Sequence, residues 1–359
     1  MTDPTDQTYK VVQWATGSIG QIAIRHFVEN PVYELVGVHV TNPDKVGKDA
    51  GELAGIGPTG VRASSDIDAV VASGADCVLY APLRADLDDM CRLLESGINI
   101  STPVGFVYPS ALEPAVGQRL AAACAAGGAS LHGSGIHPGF SGDLLPLTFA
   151  RLCSRIDQVQ VREVADLRLH PSSAMFEALG FARDPIEAVE EPSPLIATME
   201  RIFQESMTMV VEGLGKQVER FTTDFEVAVA RRDLQVRAGL IPAGRVAGMH
   251  LEWNAWVEGR PLVVFRTFWK MDDDLDPDWG FGSIKYNVVI DGDPSISVNF
   301  ESARKHPEGD EGYWGRVWTA MNAVNAIPSV CDAAPGIVTH LDLPFVRPRG
   351  LVRPATDHG

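Results

Sequence analysis

The segment Trp14-Ala15-Thr16-Gly17-Ser18-Ile19-Gly20 follows the apolar run YKVVQW and opens a helical stretch from Ile19 to Glu29. Against the pattern G-x-G-x-x-G it reads A-x-G-x-x-G, with Ala15 in the first position. Dinucleotide binding needs a tight turn first, then a residue without a side chain where backbone meets pyrophosphate. Last comes a small residue that lets helix and strand approach. Gly17 and Gly20 meet the second and third needs, and alanine meets the first if that turn requires no positive φ. Backbone N–H groups from Ser18 through Ile19 to Gly20 then face a pyrophosphate at a helix N-terminus, with Thr16 and Gly17 among the cofactor contacts. Alone, a G-x-x-G is an ordinary strand–helix turn; here the repeated β-α-β setting selects phosphate binding.

Cofactor choice is read at the end of the second strand. A site for NAD commonly sets an acid there, about 20 residues beyond the glycines, to hold the ribose hydroxyls. This chain has Val40-Thr41-Asn42 instead, with Lys45 and Lys48 just behind. Without an acid nothing repels a 2′-phosphate, and Thr41, Asn42 and Lys45 offer hydroxyl, amide and ammonium to it. NADP is the expected cofactor and NAD stays open; solvated loop lysines are the plain alternative.

Ligands of open α/β sheets lie at the carboxyl ends of the strands. The loops to inspect there are Ala81-Pro82, Thr102 to Pro109 and Gly133 to Phe140. His137, in GSGIHPGF, is the candidate general acid, since imidazole titrates near neutral pH. Its alternative is a histidine that only sets the loop before Pro138. Tyr108 either donates a proton or is an aromatic fixed by Pro109. Glu163 and Asp166, on one strand, are candidates to act on the substrate; alternation turns them to opposite faces, so at most one points inward, and Asp166 at the strand end reads equally as a cap or turn residue. His170, before Pro171, reads as a surface loop residue, and Trp253, Trp256, Trp269 and Trp279 as core or interface aromatics. The acidic run from Asp272 to Asp276 lacks EF-hand spacing and reads as a solvated turn, so no metal is expected.

The elements that carry these groups alternate from Tyr9 to about Leu145. Strand-like YKVVQWA, ELVGVHV, DCVLYAP, INIST and ASLHGSG are separated by helical LDDMCRLLESG and ALEPAVGQRLAAACAAGG, two of which close on Gly97 and Gly127. This order predicts a doubly wound parallel Rossmann-type sheet in an α/β domain spanning residues 1–145. Residues 146–311 change texture. A half-exposed strand (156–166) and a long helix (about 186–213) precede several strand-like runs between 219 and 300. They predict an α+β domain with a mixed or antiparallel sheet. Residues 312–359 hold a helix and a Pro/Arg-rich tail, expected to return to the first domain.

With 359 residues, two domains are the default. A formal net charge of -17 disfavours nucleic acid and anionic membrane surfaces as partners. Five scattered cysteines without a C-x-x-C pair read as reduced thiols. No run approaches the roughly 20 apolar residues of a membrane span, and the polar start MTDPTDQTYK is no signal peptide, so a cytoplasmic location is expected.

The chain resembles the dihydrodipicolinate-reductase-like group that includes 2,4-diaminopentanoate dehydrogenase and the native NAD(P)-dependent amine dehydrogenases. VVQWATGSIG, LVGVHVTNPDKVGKDAGELAG, ADCVLYAP, GSGIHPGFSGDLLPL, MFEALGF and NAVNAIPSVCDAAPGI carry the likeness. It implies an oxidoreductase acting on a small molecule, a second domain supplying substrate contacts and a homodimer interface, and Asn325 among the cofactor contacts. Resembling enzymes often have asparagine where His137 stands, which favours the loop-setting role. They also carry a catalytic glutamate shortly before a Tyr-Pro in the loop after the fifth strand. Here that loop is Ser101-Thr102-Pro103-Val104-Gly105-Phe106-Val107-Tyr108-Pro109, without an acid. The departure shifts the expected chemistry from amines and free ammonia towards reduction of a C=O, preformed C=N or activated C=C bond. A relocated base, or a nucleotide sensor without turnover, are the alternatives.

Overall fold

The computed structural model describes residues 7–111, 113–280 and 285–352, with residues 110 and 285 described by backbone alone. The first six residues of the polar N-terminus and the last seven of the Pro/Arg-rich tail lie outside them. The chain divides into two units, one running to Gly135 and resuming at Val317, the other from Ile136 to Arg316.

In the first unit, strands β1 (Tyr9–Trp14), β2 (Tyr33–His39), β3 (Ala63–Ser64), β4 (Cys77–Tyr80), β5 (Asn99–Thr102) and β6 (Ser130–Gly133) pair in parallel. Helices α1 (Ser18–Glu29), α2 (Ala50–Ala54), α3 (Ile67–Val71), α4 (Leu87–Glu95) and α5 (Pro114–Gly127) connect them. Val11, Val12, Val78 and Leu79 are wholly buried, as strands covered on both faces require. Asp86 caps α4 by accepting from the N–H groups of Asp88 and Asp89. Gly97 is left-handed beyond α4 as expected, but α5 runs through Gly127 and its left-handed residue is Gly128. Gly127 serves packing instead, because a Cβ there would lie 1.9 Å from the Leu94 carbonyl oxygen on α4.

The second unit begins with α6 (Leu144–Ala150) and β7 (Arg155–Asp166), followed by α7 (Ser173–Leu179), α8 (Pro185–Glu190) and α9 (Pro194–Gly213). The single helix expected over 186–213 is thus two. The chain breaks at Glu191–Ser193, where the Ser193 hydroxyl accepts from Ile196 N–H and Pro194 starts the new helix. Strands β8 (Arg220–Ala230), β9 (Leu234–Val236), β10 (Gly239–Ile241), β11 (Val246–Val257), β12 (Arg260–Lys270), β13 (Leu275–Asp276), β14 (Lys285–Asp293) and β15 (Ile296–Phe300) follow. Seven strands form a mixed sheet in the order β13-β8-β11-β12-β7-β14-β15. Only β12 and β7 pair in parallel within it. Met249, Leu251, Trp253 and Ala255 alternate onto one face of β11 and are buried, with Trp253 stacked on Phe203 of α9.

The last long helix, α10 (Gly312–Cys331), belongs to the first unit from Val317 onward. Ala323, Val324 and Ile327 pack with Tyr9, Val11, Phe27 and Leu79, while Tyr33 and Ser101 donate hydroxyl hydrogen bonds to the carbonyls of Val324 and Ala323. Strand β16 (Gly336–Ile337) then pairs with β6, so the carboxyl-terminal segment completes the sheet in the order β16-β6-β5-β4-β1-β2-β3. Among the described residues no helix is long and apolar enough to cross a membrane.

Candidate functional site

The turn expected to bind phosphate lies where β1 ends and α1 begins. Its first position departs from expectation: Ala15 has φ +69°, so the turn does require the left-handed conformation that a glycine would take without cost. Gly20 is needed for close approach, since a Cβ there would stand 2.1 Å from the Ala15 carbonyl oxygen. At Gly17 the opposite holds. A Cβ would meet nothing within 4 Å, and α1 begins after it without a side-chain cap. The helix therefore starts with free N–H groups in front of open space, which is the arrangement an anion needs.

Lys45 reaches this turn. Its ammonium donates to the Thr16 carbonyl oxygen at 3.1 Å and to Thr16 Oγ1 at 3.0 Å. Lys48 instead pairs with Glu52 on the surface. Thr41 is exposed, and Asn42 uses its side-chain oxygen to accept from Asp44 N–H at the start of a short 3-10 turn. His39 stacks on Trp14 with ring centroids 3.6 Å apart, and Tyr80 lies on the other side at 5.4 Å. Burial holds the His39 imidazole below its ordinary pKa, so a neutral ring lies beneath the end of β2.

Of the other expected cofactor contacts, Ala81 and Pro82 are half-buried just past β4, and Ala81 N–H donates to the Trp14 carbonyl at 3.1 Å. Thr102 is fully buried, its hydroxyl donating to the Tyr80 carbonyl at 2.7 Å. Asn325, on α10, has a buried Oδ1 with no partner among the described residues. Tyr108 is half-buried in the loop after β5, where Phe106 adopts φ +61° and packs its backbone against Gly133.

In the second unit the structure brings His137 and Glu163 together. Imidazole Nδ1 lies 2.6 Å from Glu163 Oε2, and Trp269 Nε1 donates to Oε1 at 3.1 Å. Against a carboxylate acceptor, Nδ1 is the donating nitrogen. Phe203, Phe265 and Tyr286 stand edge-on around the ring, which has no exposed side-chain surface, and Nε2 is without a partner among the described residues. Burial, and then the charge of Glu163, hold the Tyr286 phenol well above its ordinary pKa. Beside this group the fully buried Asp143 accepts from Gly139 N–H, Leu144 N–H and the Ser206 hydroxyl. Asp166, on the opposite face as alternation predicts, pairs with Arg168.

His170 is not the surface residue expected. Burial, then the charge of Arg316, lower its pKa to about 4, and its Nδ1 accepts from Ser172 N–H. In the acidic run, Asp272, Asp273, Asp274 and Asp276 each face an arginine: Arg232, Arg168 and Arg231 share them. Sequence reasoning missed Gln13 beneath the turn and Trp269 as the group behind Glu163. A glutamine inside an otherwise apolar strand was the available signal for the first. The second depends on the parallel pairing of β12 with β7, which no local pattern reveals.

Comparison with known proteins agrees with this architecture. Residues 11–89 match the model of the dihydrodipicolinate reductase N-terminus, and residues 140–357 that of the 2,4-diaminopentanoate dehydrogenase C-terminal domain. An amine dehydrogenase from Streptomyces virginiae is 32% identical over 357 residues, covering 93% of this chain and 96% of its own. The 2,4-diaminopentanoate dehydrogenase of Acetoanaerobium sticklandii is 26% identical over 288 residues, covering 78% and 77%. The solved structure of an amine dehydrogenase from Mycobacterium smegmatis shares the fold, with a TM-score of 0.81 at 22% identity over 97% of this chain and 99% of the other. With its parallel nucleotide-type sheet and its second mixed sheet, the chain belongs to the 2,4-diaminopentanoate dehydrogenase family of oxidoreductases.

Proposed function

We propose that this oxidoreductase uses a nicotinamide dinucleotide, with NADPH preferred, to reduce a C=O, preformed C=N or activated C=C bond of a small, largely apolar substrate. The observation that carries the reading is the open face at Gly17, where a side chain would meet nothing and unpaired helix N–H groups begin. Thr16 to Gly20 would hold the pyrophosphate, and Lys45 adds positive charge at the same turn. Thr41 and Asn42 accept a 2′-phosphate where an acid would repel it, and Ala81, Pro82, Thr102 and Asn325 flank the remainder of the cofactor. When bound, the nicotinamide supplies or accepts the hydride.

His137, with Glu163 behind it, is the pair proposed to hold and move the proton that accompanies hydride transfer; Tyr108 shapes the pocket. The ring is enclosed, yet hydrogen bonds of catalysis often form only around bound substrate. No carboxylate lies between Thr102 and Tyr108, so ammonia has no base in that loop. The protein is proposed to work as a cytoplasmic homodimer.

Two measurements test this. Gly17→Val should leave thermal stability within about 0.5 kcal/mol, as surface changes do, while weakening NADPH binding at least about tenfold, because the side chain fills the pyrophosphate space. An absorbance screen at the nicotinamide band should show oxidation of NADPH by ketones, cyclic imines or enones without ammonium. Strict ammonium dependence would establish an amine dehydrogenase with its base elsewhere, and binding without turnover a sensor. No binding of either dinucleotide ends the reading.

A further inference from the structure

Apart from the exposed Lys10, strand β1 is buried, with Tyr9, Val11, Val12 and Trp14 at most 2% exposed, yet a glutamine, Gln13, sits fully buried among these apolar side chains. Its Nε2 lies 2.9 Å from the Trp14 carbonyl oxygen, 2.9 Å from that of Ala15 and 3.4 Å from that of Leu79. Three carbonyls around one terminal group fix the amide orientation, because only the NH2 end can donate to them. The other end, Oε1, is buried with no partner among the described residues. An apolar side chain would avoid that unpaired acceptor but would leave the Ala15 carbonyl without its Gln13 donor, so the amide is retained for what it holds rather than for its own burial.

What the amide holds is the turn. Ala15 adopts φ +69°, which disfavours any residue with a Cβ by roughly 1 kcal/mol. Its carbonyl oxygen is turned inward, onto Gln13 Nε2 and against the Cα of Gly20. With that carbonyl pinned inward, the N–H groups that follow, from Gly17 to Gly20, are left facing outward. We propose that Gln13 is a positioning residue for the cofactor: a brace, built into the strand, that keeps the turn preformed with alanine where glycine would otherwise be required. The proposal rests on the reading of this turn as the pyrophosphate site. It assigns Gln13 no contact with the ligand.

The test is a cycle of Gln13→Met, Ala15→Gly and the double variant, each titrated with NADPH and melted in its absence. Methionine matches the glutamine in length and removes the donor. Gln13→Met is expected to weaken NADPH binding about tenfold, the loss of a preformed hydrogen-bonded turn, with any fall in melting temperature relieved together with the affinity by Ala15→Gly. The KM for cofactor should rise while kcat at saturating cofactor stays near wild type. Ala15→Gly alone should change affinity less than about threefold, and in the Gln13→Met background it should recover most of the loss, since glycine takes the left-handed turn unaided. Gln13→Asn, which keeps the amide but shortens its reach, guards against a misfolded methionine variant and should also lose affinity. Wild-type affinity in Gln13→Met, or a joint fall of affinity and melting temperature that Ala15→Gly does not relieve, overturns the brace. Failure of the wild-type protein to bind any dinucleotide would sink the cofactor reading itself, and the brace with it.

Discussion

At the scale of single residues, the chemistry is split between backbone and side chains. At the turn the demand for a small residue is steric at Gly20, which the Ala15 carbonyl dictates, whereas Gly17 faces open space. His137 shows the opposite design, a side chain whose tautomer is set by Glu163 and whose partner is in turn set by Trp269. If this pair carries the proton, His137→Asn should lower kcat about a hundredfold, the usual worth of a positioned acid or base. The limb of the kcat–pH profile that reports imidazole should vanish, with cofactor affinity unchanged. Glu163→Gln should give a smaller loss and a shifted limb. A pH profile identical to wild type in both variants would leave the pair a purely structural one. Residue types at this scale were well exposed by sequence. The glycines, Lys45 and His137 could all be read from spacing. The positive φ of Ala15 could not, because alanine carries no signal of left-handed geometry.

At the scale of elements, two contacts decide how the first unit holds. Helices α4 and α5 meet where Gly127 leaves no room for a methyl group beside the Leu94 carbonyl. Gly127→Ala should therefore lower stability by about 1–3 kcal/mol, as overpacking does, seen as an earlier urea midpoint; an unshifted midpoint would show that the helices can separate freely. The second contact ties β6 to the returning segment. Buried His132 donates from Nδ1 to the Val338 carbonyl at 2.8 Å, with the His340 ring edge-on at 4.9 Å. Burial, and then His340, lower the His132 pKa to about 3. The unfolded chain takes up that proton near the ordinary pKa of about 6.5, the folded one only near pH 3. Between those values the unfolded state holds more protons, so stability falls as pH drops, by up to about 1.4 kcal/mol per pH unit. Chemical denaturation of His132→Gln at pH 7 and pH 5 should show a shallower decline than wild type, and equal slopes would discount the effect. Elements themselves were mostly legible, since strands buried on both faces and capped helices follow period and turn chemistry. The split at Glu191–Ser193 was legible too but went unread: Glu190-Glu191-Pro192-Ser193-Pro194 interrupts the apolar spacing and sets a serine N-cap before a proline at the first helical position.

At the scale of the whole molecule, charge and candidate ligand oppose one another. A net charge of -17 surrounds a turn proposed to take an anionic dinucleotide. Attraction is confined to the helix end and Lys45, whereas the mean field repels. Salt screens the long-range repulsion first, so the association rate of NADPH is expected to rise between about 0.01 and 0.15 M ionic strength, measured by stopped-flow fluorescence. A rate that falls with salt would mean that local positive charge dominates the approach. Composition and texture lead to the expectation of a first domain, a second domain and a returning carboxyl-terminal helix; the chain divides into one unit that runs to Gly135 and resumes at Val317 and another between them. The boundaries fall at Gly135 and Arg316 rather than near 145 and 311, because the loop after β6 closes on itself within the second unit, through Ser141 to Ile136 and Gly139 to Asp143.

The stack of Trp14 on His39 has an optical consequence. An indole held face to face with an imidazole at 3.6 Å is quenched efficiently only when that ring is protonated, and burial disfavours the protonated form of this one. Trp14 is thus an emitter guarded from that quenching, placed at the end of the strand that leads into the turn. Its emission overlaps the absorption of a reduced nicotinamide, so the molecule carries its own donor for energy transfer. Comparing wild type with Trp14→Phe isolates that signal from the other six tryptophans and gives a label-free clock for arrival and departure at the turn.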